Sequence, residues 1–522
     1  VGLTIGQALG LVATLEMELT MRASFADEAD DMYRGRHPLM FASEEFRDYF
    51  AKRYRGYSDN WVPVVADAPV ERLTVTGFQL DGKPDTAAWD VWQRNNLDCD
   101  SQLGFLASVL AAHSYVLVWG DPDDKTTPCV TFEDSGQAIV GYYPGSRYKR
   151  RAALKRWQDG NSMYCTLYTA DELWKFKRPL TRVEKPFNLA QFDEEANEWL
   201  PRDMPDEPNP QPNPMGLVPM VELPNRPMLA REPLSDVATV IPLQHSINLL
   251  WAHLFTASDF AAMPQRYVLG AEAPKVPVYD ADGNKIGDKA VSLEEYKRAR
   301  LLWVEDEGAT AGSWPAANLA VFSDVIETAI GHLAAQTRTP QHYLIGKMSN
   351  VGSDTLLAAE AGLVKRVNEK QLWFGAALRE TMRLVALAQG DAGRADAYRS
   401  GKVLWADTES RSQAQLVASL VQLKGIGWPF EDLARRFGLT QEEVRQLVAM
   451  RDKEQENDPL LAMLGTKELG STGLVGRTGD PSLIDGGDPT PPPAVPAAPA
   501  RAVPAVPASP PAARAPGVPG KP

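Results

Sequence analysis

Cysteine is nearly missing from this 522-residue chain, with Cys99, Cys129 and Cys165 the only three. Three scattered thiols exclude a disulfide framework and a C-x-x-C metal site; they are expected as small buried hydrophobes of a reducing compartment. Long apolar runs are missing too. The stretch 5–15 is apolar, but no basic segment precedes it and Glu16 and Glu18 follow, so no signal peptide is expected. The run 103–119 contains Ser108, His113 and Ser114 and falls short of the ~20 apolar residues of a membrane span. It reads as a helix running into a strand. There is also no basic excess: 54 Lys and Arg stand against 68 Asp and Glu, a formal net charge of −14. A protein that grips DNA by neutralising phosphates needs a basic face, so tight groove reading is not expected, although an acidic surface suits DNA that slides past.

Motifs for catalysis are equally scarce. Each Gly-Lys pair is followed by the wrong residue for a phosphate-binding loop: Pro84 after Lys83, Met348 after Lys347, Val403 after Lys402 and Pro522 after Lys521. No H-E-x-x-H, G-x-S-x-G or dinucleotide glycine fingerprint occurs. His245 and His253 lie two turns apart on one helix, too far for a single metal shell, and read as structural. Asp280-x-Asp282-x-Asn284 begins like a calcium loop, but Lys285 replaces the required glycine and Val291 the glutamate, which leaves a hairpin turn. The segment 430–447 has the cadence of a helix-turn-helix, with Gly438 stopping one helix and Thr440 and Glu443 forming a capping box for the next. That second helix opens Gln441-Glu442-Glu443, which would repel phosphate, so plain helix packing is expected. Lys149, Arg150, Arg151, Lys155 and Arg156 are consistent with subunit contacts. The reading is of a protein that is not an enzyme and needs no cofactor or metal.

What is present is an ordinary globular composition, 44% hydrophobic and 23% charged, with room for two to four cores. No internal repeat is found, and Val1 in place of Met leaves an alternative start codon or a missing N-terminus open. Residues to about 60 read as helical, with Phe46, Tyr49, Phe50, Tyr54 and Tyr57 expected to pack on the next module. Asp85 caps a helix carrying Trp89 and Trp92, and a second helix follows with Leu103, Leu106, Ala107 and Leu110 as its stripe. Short alternating runs at 115–119, 129–132, 138–140, 152–157 and 163–168 predict an antiparallel β region in an α+β domain of about 200 residues. The proline-rich 201–227 reads as an extended connection. A helix is expected from Ser235 or Asp236 to about Ala262, striped by Val237, Val240, Ile241, Ile247, Trp251, Leu254 and Phe255 and closed by Pro264. A hairpin around Asp282-Gly283 and a charged helix near 293–300 come next. Two or three short helices fill 408–450, and 480–522 is a Pro/Ala tail that cannot bury a core and is expected to be disordered.

The most informative stretch is 334–353. Upstream of it Phe322, Val325, Ile326, Ala329, Ile330 and Leu333 line one helical face, and Pro340 is expected to end that helix. Downstream, Ser353 can cap a helix that runs without proline to about Gln389, roughly 36 residues or about 54 Å. Two such helices hold a glycine-punctuated loop so that it can be aimed.

The ordered set of segments resembles the portal proteins of tailed double-stranded DNA phages, particularly the long non-contractile-tail type infecting actinobacteria. The residues that carry the likeness are 87–97, 152–169, 235–266, 337–352 and 370–374 (KQLWF). The resemblance implies a wing over 1–230 (α+β), stem helices at 235–263 and 318–338 with a clip at 264–317 between them, and a tunnel loop at 339–353. It further implies a long kinked helix over 354–389, a return to the wing at 390–407 and a helical crown at 408–455. Gln341, His342, Tyr343, Lys347 and Asn350 would face DNA, with Gly346, Gly352, Gly362 and Gly375 as hinges. By the same resemblance the chain forms a ring of twelve copies at a capsid vertex of the virion, assembled in the host cytoplasm. Its partners would be double-stranded DNA passing without sequence specificity, the terminase large subunit, scaffold and major capsid protein, and a head-completion protein, with no membrane. A non-portal structural or adaptor protein of the virion, or an enzyme hidden in the α+β region, are the competing readings.

Overall fold

In the computed structural model the apolar stretch that opens the chain begins a helix of 29 residues, α1 (Ile5–Tyr33). Described are residues 2–456 except 40–41, 55–56, 122–123, 125, 180–197, 203–206, 230, 263–265, 271–274, 291–300, 305–307, 309, 314–317, 346–352 and 410–412. The chain divides at Gln455, and the elements below belong to the unit Val1–Glu454 except the last two residues of the final helix. Thr4 and Gln7 form a capping box at the start of α1, and Ala8, Val12, Leu15 and Leu19 give it one buried face. α2 (Glu44–Tyr54) and α3 (Val62–Val70) follow, then a hairpin of β1 (Val75–Leu80) and β2 (Lys83–Pro84). Asp81 and Gly82, both at positive φ, are the two left-handed residues that a tight hairpin turn needs.

Asp85 accepts from Ala88 N and so caps α4 (Thr86–Arg94), whose Trp89 and Trp92 pack around Phe78. The stripe expected on α5 (Leu97–Ala111) holds only in part: Leu110 is buried and Leu106 packs on the core, but Leu103 is 66% exposed, and the rest of the buried face is Leu97, Ser101, Gly104, Phe105, Ser108 and Val109. Closeness of approach selects that face. A Cβ at Gly104 would lie 2.0 Å from Phe132, and Ser108 Oγ donates to Leu223 O at 2.7 Å.

The alternating runs form antiparallel strands. β3 (His113–Trp119) and β4 (Cys129–Asp134) pair, and β5 (Ala138–Tyr142), β6 (Arg150–Asp159), β7 (Ser162–Tyr168) and β8 (Glu172–Pro179) make a meander. α1 covers that meander through Ile139, Leu154, Leu167 and Phe176. The proline-rich segment is more than a connection. β9 (Leu200–Pro201) and β10 (Gln211–Pro212) pair with β8, and β11 (Met220–Pro224) pairs with β3, because extended proline-flanked backbone can still add short edges to a sheet. Of the cysteines only Cys165 is buried; Cys99 and Cys129 are exposed, at a helix start and a strand start. Three of the basic residues noted in the β region pair within the chain: Arg150 with Glu380 at 2.6 Å, Lys155 with Glu133 at 2.6 Å and Arg156 with Glu16 at 3.1 Å.

The helix expected from Ser235 or Asp236 begins six or five residues later, as α6 (Ile241–Ala262). Asp236 does not cap it, because its carboxylate is taken by buried cations. The rings at 46–57 pack on α6 and not on the module that follows them in the chain: Phe46 meets His253, Tyr54 meets Phe255 and Tyr57 meets Trp251. Beyond α6 come β12 (Arg266–Leu269), the hairpin β13 (Lys275–Tyr279) and β14 (Lys285–Ala290), then β15 (Leu301–Val304) and β16 (Thr310–Ser313). β12 lies between β15, parallel to it, and β16, antiparallel. Asp280 Oδ1 accepts from Asp282 N and Asn284 N, which makes the calcium-like run a hairpin turn. The charged helix expected at 293–300 lies outside the described residues.

α7 (Ala320–Thr337), the short α8 (Gln341–Ile345) and the 36-residue α9 (Ser353–Ala388) follow. Leu363, Val367, Phe374, Leu378, Met382 and Val385 lay α9 along the main core, where Phe374 stacks on Phe105 with ring centres 5.2 Å apart. After α10 (Ala392–Ala397), β17 (Lys402–Trp405) returns to pair antiparallel with β1. α11 (Gln413–Gly425), α12 (Phe430–Arg436) and α13 (Gln441–Glu456) end the described chain. The capping box at Thr440 and Glu443 is present, and Gln441 is buried with its Oε1 accepting from Phe78 N at 3.2 Å. The helix-turn-helix cadence is thus helix packing, with the entry turn of α13 pressed against β1. The Pro/Ala tail lies outside the described residues.

Candidate functional site

The loop that the sequence leaves open at 339–353 is partly helical. α7 stops where Arg338 turns left-handed at φ 54, and Thr339 N bonds back to Ala334 O at 3.1 Å. Pro340 therefore stands beyond the helix end instead of making it. It opens the next turn, since Tyr343 N donates to Pro340 O at 3.0 Å.

Of the five residues expected to face DNA, Gln341 is exposed, His342 is half-buried, and Tyr343 is 37% exposed with its hydroxyl turned to the body of the protein. The Tyr343 hydroxyl accepts from Arg72 Nη2 at 2.8 Å and donates to Glu360 Oε1 at 3.4 Å. Arg72 also pairs with Glu360 at 3.2 Å and donates to Thr408 O, and His342 Nε2 lies 3.8 Å from Glu360. Leu344 is buried in the main core. These residues anchor the foot of the loop, joining α8 to α9 and to the end of α3. Lys347, Asn350, Gly346 and Gly352 lie outside the described residues. Gly362 and Gly375 mark close approaches: a Cβ at Gly362 would be 3.4 Å from Arg338 Cβ, and one at Gly375 3.4 Å from Trp405 Nε1.

At the end of α7 is a buried ionic hub that the sequence reading missed. Asp236 Oδ2 accepts from Arg366 Nε at 3.0 Å and Nη2 at 2.7 Å, and lies 2.6 Å from Lys370 Nζ. Arg366 also donates to Thr337 O and Val65 O, each at 3.0 Å, while Lys370 donates to Asn225 Oδ1. One guanidinium on α9 therefore ties down the end of α7, the interior of α3 and the turn before α6. Burial opposes the charge on Asp236, but Lys370 and Arg366 outweigh it and hold the carboxyl well below the usual range. Burial, with help from Arg366, holds Lys370 down at about 8 in spite of the attraction of Asp236. Two basic residues four apart in an otherwise core-facing stretch were the available signal.

A second lock fixes α6. Trp61 N donates to Gln244 Oε1 at 2.9 Å, Asp59 N donates to Asn248 Oδ1 at 2.9 Å, and Gln244 Nε2 donates to Asp59 O. Asp59 Oδ2 receives the indole N–H of both Trp61 and Trp251, at 3.0 and 3.1 Å. These polar side chains are buried on the face between the apolar ones, so α6 is keyed in rotation as well as packed. Together the hub and the lock tie α6, α7 and α9 to one another and to α3. Among the described residues no three His, Cys, Asp or Glu are placed to hold a metal ion, and no helix is long and apolar enough to cross a membrane. The arrangement is a charge-clamped joint under a short anchored loop.

The family model described as phage portal protein, SPP1 Gp6-like, matches residues 14–457. The chain belongs to that portal protein family. This portal-family chain is 26% identical over 447 residues to the portal protein of Mycobacterium phage L5, covering 82% of this chain and 83% of that one. It is also 26% identical over 420 residues to the portal protein of Mycobacterium phage D29, with 77% and 79% covered. Two solved structures are similar at TM-scores of 0.38 and 0.35, with 12% and 13% identity: the neck of a native gene transfer agent particle computed with C12 symmetry, and a gene transfer agent virion. Each comparison covers 77% of this chain and 95% of that chain.

Proposed function

We propose that the chain is the portal subunit of a tailed phage, and that twelve copies form the ring at one capsid vertex through which double-stranded DNA is packaged and ejected. The observation that carries the reading is the family match across 14–457. The physical chemistry supports it. Val321 and Val325 on α7, and Val276, Tyr279 and Ile286 on the β13–β14 hairpin, are exposed in the single protomer. A two-stranded hairpin with such a surface is marginal alone, and neighbouring copies would cover it. On this reading α6 and α7 are the stem, 264–317 the clip, 339–353 the tunnel loop, α9 the long helix behind it and 408–455 the crown. The net charge of −14 suits a conduit that lets phosphate slide. The terminase large subunit would supply the energy, and scaffold, major capsid and head-completion proteins would bind the outside.

Electron microscopy of the purified protein tests the ring. Rings with a central channel are expected; a species that stays monomeric under every assembly condition refutes the reading. The loop is tested by deleting 346–350 alone, since Tyr343 and Leu344 belong to its anchored foot. Rings should form and packaging should fail, and normal DNA-filled heads would exclude a role for the loop.

A further inference from the structure

The face of α9 that carries Arg366 also presents Glu369, Lys370 and Trp373, at the i, i+3, i+4 and i+7 positions of one helical side. With Arg226, Arg338 and Asp236 they line a cavity of about 100 Å³ at the joint. Four cations and two carboxylates face it, leaving two positive charges in excess within a chain whose formal charge is −14. The two inner cations share one carboxylate, Asp236. Among the described residues the two outer ones have only long partners: Arg226 is 3.9 Å from Asp236 and Arg338 is 3.6 Å from Glu369. Both of these arginines hold left-handed backbones, at φ 48 and φ 54, and more than half of each side chain is exposed. Beside the cavity α9 leaves Leu372 71% and Trp373 44% exposed.

We infer that this cavity receives a carboxylate from the neighbouring copy of this chain, seated between Arg226 and Arg338, with Trp373 and Leu372 covered by the same neighbour. The inference rests on the ring reading above. An under-neutralised, partly desolvated cation cluster gains most from one added anion, and an exposed Trp-Leu pair gains most from an apolar cover. A second copy can supply both: Asp and Glu outnumber Lys and Arg 68 to 54, and the chain exposes apolar side chains such as Val321 and Val325. A DNA phosphate would satisfy the charge but leave the two apolar side chains beside a hydrated backbone. The contact is heterologous: each protomer offers the cavity on one side and the acid on the other, which is what closes a ring.

The test uses the full chain with Arg338→Glu and, separately, Trp373→Ser, both exposed positions. Thermal melting of dilute protomer checks the fold, and mass photometry across a concentration series reads assembly. The expected result is unchanged melting with the half-assembly concentration raised at least about tenfold, since like charges placed together across an interface are strongly unfavourable. Rings of an Arg338→Lys variant, mixed from two isotopically labelled batches and treated with carbodiimide, should yield a mixed-label peptide joining the substituted position to the neighbour's acid. Cross-links confined to Glu369 of the same copy, or wild-type assembly by both single variants, overturn the cavity contact while the ring stands. Variants that assemble normally but lose DNA retention would assign the cavity to phosphate, against the proposal. If the unaltered chain forms no ring, both readings fall.

Discussion

Replacing Asp236 by Asn should be the most damaging small change in this protein. The side chain is almost fully buried, and its carboxylate holds Arg366 through two hydrogen bonds and Lys370 at 2.6 Å. Asn is nearly isosteric, so packing is retained and the change is electrostatic. It leaves two buried cations without the carboxylate they share, and breaking a buried pair from one side costs about 3–5 kcal/mol. The measurement is urea unfolding followed by tryptophan fluorescence, on protomers dilute enough that assembly does not add to stability. Adding Lys370→Met to Asp236→Asn removes one of the orphaned cations and should restore at least ~1 kcal/mol relative to the single change, a coupling expected for groups in direct contact. A loss under ~1 kcal/mol for Asp236→Asn would refute the view that this hub holds α3, α6, α7 and α9 together. So would strict additivity in the double variant.

The same contacts lead to three further expected outcomes. Lys370 titrates at about 8 in the fold against 10.5 as its ordinary value, so between those pH values the unfolded chain binds more protons than the native one and stability should rise with pH, by ~3 kcal/mol in full; a flat profile over that window for wild type, or the same rise in Lys370→Met, counts against it. Gly104→Ala should destabilise by roughly 1–3 kcal/mol or more despite the better helix propensity of alanine, because the new methyl meets Phe132 at 2.0 Å; an unchanged melting temperature would show that Phe132 moves aside freely. Tyr343→Phe should cost ~0.5–1.5 kcal/mol and speed hydrogen exchange at 341–345, since the bond from Arg72 is lost; unchanged exchange would mean that Leu344 alone holds the loop's foot.

Much of the fold was legible in the residues because it follows from local rules. The strand alternation, the Asp85 cap, the Asp280 turn, the Thr440 capping box and the long proline-free helix each depend on neighbours within a few positions. The errors share a cause of the opposite kind. α5 buries Gly104 and Ser108 instead of Leu103 because another strand arrives there, and α6 starts late because Asp236 serves residues 130 positions away. The foot of the loop likewise carries a contact that no local pattern shows, from Arg72 to the Tyr343 hydroxyl across 271 positions.

By itself, then, the sequence determined the acidic, motif-poor character of the chain, the kinds and order of most elements, and the family pattern they form, because periodicity, capping and composition act at short range. Only the tertiary structure decided which helix faces are buried, that one aspartate and two cations join four separated segments, and which side chains anchor the foot of the loop. Those outcomes depend on the approach of backbone segments far apart in sequence, and on the need of every buried charge for a partner, neither of which short-range pattern encodes.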